Sequence, residues 1–123
     1  MMAINEPDWK RLRKLRPIAL NRFCERILSE LQGMCAEPCE SKHALYLKVY
    51  RAIEKRDREI NRTFDNPRRS VAFEHLAAML ELGLVTEQEF EEFSSELRSM
   101  IKLLLGDFKA FMKASVVSHK YLE

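Results

Sequence analysis

Glycine and proline are scarce in this chain, at three and four of 123 residues. An all-β fold needs many turns and disordered chains are rich in proline and glycine, so the shortage argues against both. There are three cysteines, Cys24, Cys35 and Cys39. An odd number leaves a thiol unpaired in any internal scheme, which excludes a closed disulfide framework and suits a reducing compartment. No apolar run approaches the roughly 20 residues needed to span a bilayer. Met1 to Arg16 has no apolar stretch ahead of its charges, unlike a secretory signal. These absences lead us to expect a cytoplasmic location without membrane association. Also missing are a phosphate-binding loop, a nucleophile motif and the signature of a standard nucleic-acid module. No cofactor is implied.

What is present reads as helix. Hydrophobic residues make up 46% and charged residues 33%, enough for a core that needs no staples at this length. Asp8 after Pro7 reads as the cap of a first helix ending near Gln32, with Gly33 just beyond it. Pro17 should kink that helix or split it in two. Residues 34–40 read as a loop, and Ser41 caps a second helix over about 42–64. Asn66-Pro67 closes it and opens a third over about 67–82, ended by Gly83. Thr86 and Glu89 form a capping box for a fourth helix carrying Phe90, Phe93, Leu97, Met100, Ile101 and Leu104. A break or a kink is expected at Gly106-Asp107. The spacing predicts an all-α, single-domain antiparallel bundle of four to five helices over 1–123, with residues 1–7 and 118–123 as flexible ends.

Polar residues interrupt two apolar stripes. Arg56 and Asp57 fall among Leu45, Val49, Ile53, Ile60 and Phe64. His75 falls among Val71, Met79 and Leu82, with Arg68 a turn earlier. A buried charge needs a partner, so one reading is a structural ion pair. The alternative is a ligand-binding or catalytic site at the junction of the second and third helices, using Arg56, Asp57, Arg68 and His75. Cys35, Cys39 and His43 have spacing of the kind zinc uses, but three ligands interrupted by Pro38 fall short of a structural site, and no metal is assigned.

Charge is lopsided. Residues 1–69 hold 16 Lys or Arg against 10 Asp or Glu, and residues 70–123 hold 5 against 9. Basic clusters comprise Lys10, Arg11, Arg13, Lys14 and Arg16, then Arg51, Lys55, Arg56, Arg58, Arg62, Arg68 and Arg69. Nucleic-acid binding through Lys10, Arg11, Arg13, Lys14, Arg58, Arg62 and Arg69 is one reading. The interleaved acids Glu54, Asp57, Glu59 and Asp65 support the other, a solvated ion-paired face. From Glu81 to Glu96 the charges are all acidic: Glu81, Glu87, Glu89, Glu91, Glu92 and Glu96.

The run Leu-Gly-Leu-Val-Thr-Glu-Gln-Glu-Phe, within Leu76 to Leu104, resembles the short helical hairpin of the SHOCT family. The resemblance covers about a quarter of the chain and implies an αα-hairpin able to mediate oligomerisation. In the last third, Phe108, Phe111, Met112 and Val116 exceed what the four-helix stripes need, and surplus apolar surface marks a contact site. The leading expectation is therefore a non-enzymatic helical interaction or regulatory module, self-associating or docking on a protein partner.

Overall fold

The computed structural model describes residues 4–106. They form five α-helices, and no strand occurs among the described residues. These are α1 (Glu6–Ala36), α2 (Lys42–Phe64), α3 (Ala72–Glu81), α4 (Glu87–Glu91) and α5 (Ser95–Leu105), with a 3-10 turn over Arg69–Val71 leading into α3. The all-α bundle expected from the spacing is what forms.

The long helix α1 is the spine. Leu12, Leu15, Ala19, Phe23 and Ile27 recur every three or four residues and are buried, so one stripe of α1 meets the core. Against it pack Phe64 from the end of α2, Leu76, Met79 and Leu80 of α3, Phe90 of α4, and Leu97 and Ile101 of α5. The helix α2 runs back antiparallel to α1: Arg16 reaches Phe64, and farther along Glu30 reaches Arg56. Only Thr63 and Phe64 of α2 are buried. Ile60 of α2 and Leu31 of α1 still pack against the core, and the first turns of α2 with the last turn of α1 extend beyond it as the end of a two-helix hairpin.

Four expected boundaries shift, each for a physical reason. Asn5, not Asp8, caps α1, its side chain accepting the Asp8 N–H at 2.8 Å. Gly33 does not end α1, which continues to Ala36, because the pairing with α2 continues past it. Pro17 leaves the helix unbroken. Its position is exposed, so the carbonyl it leaves without an N–H partner faces water. Pro67 lies outside any helix: Asn66 takes a left-handed φ of 52° and Arg68 is extended, so the chain reverses before α3 starts at Ala72.

The expected fourth helix is two helices. The capping box forms as read, with Thr86 and Glu89 reciprocally bonded, but α4 stops at Glu91. Ser94 then caps α5, its Oγ accepting the Leu97 N–H at 3.3 Å. The break is held by Asp8, which is 1% exposed. Its carboxylate accepts the Ser94 N–H at 2.9 Å and the Ser94 hydroxyl at 2.5 Å. A carboxylate at a helix N-terminus also complements the dipole. Gly83 ends α3 in a Schellman turn at φ 71°, with Leu84 N–H on the Met79 carbonyl and Gly83 N–H on that of Leu80. Gly106, at φ 74°, ends α5, matching the expected break.

Removing the Asp8 carboxylate leaves buried donors on Ser94 unpaired. Asp8→Ala should destabilise the fold by about 1–3 kcal/mol, read by thermal or urea unfolding. A double-mutant cycle with Ser94→Ala should show strong coupling. Additive losses would mean that the α1–α5 bond carries no stability.

Candidate interaction surfaces of the hairpin

Helix C-termini leave four carbonyls without intrahelical partners, and α1 supplies arginines to them. Arg16 donates to the Phe64 carbonyl at the end of α2, at 3.2 and 2.6 Å. Arg26 donates to the carbonyls of Leu82 and Gly83 just past α3. Arg22 donates to the Leu84 carbonyl at 2.9 Å and grips Glu89 through both oxygens, at 2.7 and 3.0 Å. Arg69 donates to the Ile4 carbonyl at 2.7 Å and to Glu6 at 3.0 Å. Much of the arginine content thus works inside the molecule, where charge-assisted bonds are strongest.

This engagement redraws the basic clusters. Arg11 pairs with Asp8 at 3.3 Å, and Arg13 lies over the Trp9 ring at 5.5 Å. Arg11 and Lys14 line a groove with Glu89, Glu92 and Phe93, so this part of the first cluster faces the acidic α4. Lys10 is exposed. Arg58 and Arg62 stand on α2 instead, exposed and without a hydrogen bond or ion pair to the described residues. Arg69 belongs to the N-terminal anchor.

The four polar intrusions are not brought together. Arg56 is bidentate on Glu30, at 2.9 and 3.0 Å, and bonds Glu59 at 2.6 Å. These hydrogen bonds raise its pKa and, with Lys55 contributing, lower that of Glu30. Asp57 and Arg68 are exposed. His75 is half-buried and its charged neighbours are Arg16, Glu74 and Asp65; burial first, then Arg16, lowers its pKa. No hydrogen bond or ion pair among the described residues joins Arg56, Asp57, Arg68 and His75. Cys35 and Cys39 are exposed free thiols and Cys24 is a half-buried one. Among the described residues no cluster of three or more His, Cys, Asp or Glu is arranged to hold a metal. The apolar residues Phe108, Phe111, Met112 and Val116 lie outside the described residues.

A cleft of about 700 Å³ opens between the start of α1 and α5, lined by Ile4, Asn5, Asp8, Arg69 and Ser94 among others. Its principal polar groups are already bonded to one another or to the backbone.

The hairpin has two flanks that composition alone did not reveal. The α1–α2 seam is marked by Arg16 with Phe64 and by Glu30 with Arg56. On one side of it α1 presents Asn21, Cys24, Leu28, Leu31 and Cys35, spaced three and four apart, with no charge among them. The matching flank of α2 presents Tyr46, Tyr50 and Ile53, with the exposed Asp57 on the same arc one turn farther along. In an antiparallel pair, residues offset in the same sense from the seam share a side, so the two stripes lie next to each other. Leu28 is 60% exposed, Tyr46 64%, Tyr50 51% and Ile53 46%. The two tyrosine rings stack, centroids 6.5 Å apart. Arg26, Glu30, Arg56 and Glu59 occupy the opposite side of the seam, beside Leu82.

The second flank is a ridge of cations. Lys48, Arg51, Lys55, Arg58 and Arg62 recur at three- and four-residue spacing, which at 100° per residue places all five within about 80° of arc. All are exposed. Lys48 has a loose pairing with Glu37 at 3.8 Å. Glu54 stands just outside one edge of the arc; Glu59 stands at the other, bonded to Arg56. Like charges at this spacing destabilise a helix by about 0.2–0.5 kcal/mol per pair.

Comparison with protein-family models, with curated proteins and with solved structures yields no match. The likeness of Leu76–Leu104 to the SHOCT hairpin is therefore unsupported, and the segment folds as α3, the short α4 and α5 rather than as two hairpin helices.

Glu89 supplies a pH signature. Burial alone would raise its pKa, but the bonds from Arg22 and Thr86 prevail and hold it below its ordinary 4.5. A carboxylate depressed in the folded state adds stability above its unfolded pKa, and that stability is lost as pH falls through the folded value. Stability should therefore decline below about pH 4.5. Glu89→Gln should lower stability at pH 7 and flatten the acid limb, as followed by unfolding at pH 3, 4, 5 and 7. An unchanged acid limb would mean that Arg22 and Glu89 are not coupled in solution.

Proposed function

We propose that this protein is a non-enzymatic helical interaction module that associates with a second copy of itself through the tyrosine-bearing flank of the α1–α2 hairpin. The observation that carries the proposal is the exposure of Leu28, Tyr46, Tyr50 and Ile53 on one face of the α1–α2 hairpin. Tyrosine is enriched at protein interfaces because it offers rigid area with a polar tip. The heptad-like spacing on both helices suits packing against further helices, giving a four-helix assembly.

The size of the face favours a copy over a single helix. Two helices side by side, each about 10 Å wide and about 25–30 Å long, offer roughly 500–600 Å² per partner. A reciprocal contact would bury roughly 1,000–1,200 Å² in all, the lower range for specific association. A lone helix would leave half of the face wet. Three free thiols, two of them exposed, fit a module that works under reducing conditions.

Sedimentation of the full chain across a concentration series should give a dimer that dissociates at low concentration. Tyr50→Glu with Leu28→Glu should weaken it at least about tenfold while helicity is retained. A monomer at all concentrations would refute self-association.

A further inference from the structure

We infer that the cationic ridge of α2 is a docking surface for double-stranded nucleic acid, contacting its phosphate backbone without reading bases. Five exposed cations stand in one line, Lys48 to Arg62, over about 21 Å at 1.5 Å rise per residue. In the arc they occupy, α2 places no other residue than Ala44. Arg16, Arg22, Arg26, Arg56 and Arg69 all have internal partners, whereas Lys10, Lys14, Lys42 and Arg68 are exposed as single charges off the row. Among the described residues the ridge has only the loose Lys48–Glu37 pairing. Arg51, Arg58 and Arg62 make no hydrogen bond or ion pair with the described residues, and Lys55 is placed to act on Glu30 only through space. Neighbouring like charges repel along the helix; Glu54 and Glu59 flank the row and Glu37 meets Lys48 at 3.8 Å, and a bound anion would relieve the rest.

The class of anion follows from what the arc lacks. Interfacial membrane helices bury an apolar face among the acyl chains, and this arc has none. Single strands are held by stacking of bases on aromatic rings, and Tyr46 and Tyr50 lie on the other flank. A straight, rigid row of charges fits the regular phosphates of a duplex, where cations release condensed counterions. The surface is separate from the tyrosine-bearing flank, so it does not rest on self-association.

The test is fluorescence anisotropy of the full chain with a mixed-sequence duplex of about 20 base pairs, from 50 to 200 mM salt. A single-stranded oligonucleotide and vesicles containing phosphatidylserine serve as the alternatives. With five phosphate contacts, log K should fall with log salt at a slope of about −4.5, an affinity loss of roughly 500-fold over this range. Arg51→Gln, Arg58→Gln and Arg62→Gln together should reduce the slope to about −2. Arg58→Gln alone should reduce it by about 0.9, which keeps a readout should the triple variant fold poorly. Lys10→Gln with Lys14→Gln, off the ridge, should leave it unchanged. Without ligand, the triple variant should melt no lower than the parent at low salt. The inference is overturned by absent duplex binding, by a slope indifferent to the ridge, or by tighter binding to the single strand or the vesicles.

Discussion

The fold depends on charged side chains of α1 reaching the ends of the other helices. Short helices carry a large share of unpaired backbone groups, since four N–H and four C=O are left at each pair of ends. Here α3 has 10 residues, α4 five and α5 eleven, so ends outnumber middles. Arg16, Arg22 and Arg26 take up carbonyls at or beyond the ends of α2 and α3, and Asp8 takes up the N-terminus of α5. Each bond is charge-assisted and joins residues far apart in sequence, which places short elements that could not hold position by propensity alone.

That arrangement divides the molecule. Near its N-terminus α1 is surrounded by α3, α4, α5 and the end of α2, and its apolar stripe is buried. Farther along, among the described residues, α2 is its main companion, and two antiparallel helices have more sides than they can cover. One uncovered side is aromatic and aliphatic, with Asp57 as its one α2 charge, and the other is cationic. The same shortage of neighbours accounts for both flanks. An apolar flank is stabilised by a further helix, whereas a cationic flank is stabilised by anions, so the two call for different partners.

The polar residues illustrate how one chemistry serves two ends. Arg56 interrupts an apolar stripe because Glu30 of α1 and Glu59 of its own helix meet it at the seam. Asp57, next in sequence, points elsewhere and is exposed. Neighbours in sequence differ by 100° on a helix, so two polar intrusions that look like one site are divided between seam and solvent. His75 has a third environment, set by Arg16 and the carboxylates Glu74 and Asp65.

Helical class, the second helix, the Thr86–Glu89 box and the Gly83 and Gly106 stops were legible because each rests on bonds within a few residues. The cationic ridge was partly legible: Arg51, Lys55, Arg58 and Arg62 belong to the second basic cluster, but Lys48 does not, and the interleaved acids mask a line that follows from 100° per residue. Other features depend on partners far along the chain. Nothing near Gly33 says that α1 continues beyond it, since that follows from pairing with α2. Nothing near Ser94 says that a helix must break there, because Phe90, Phe93 and Leu97 keep a helical period across the break. Asp8, 86 residues away, decides it. Local sequence determined which residues form helix and how most helices stop. Tertiary structure decided which arginines turn inward to satisfy carbonyls and which remain for solvent, because only packing determines where an unpaired helix end comes to lie.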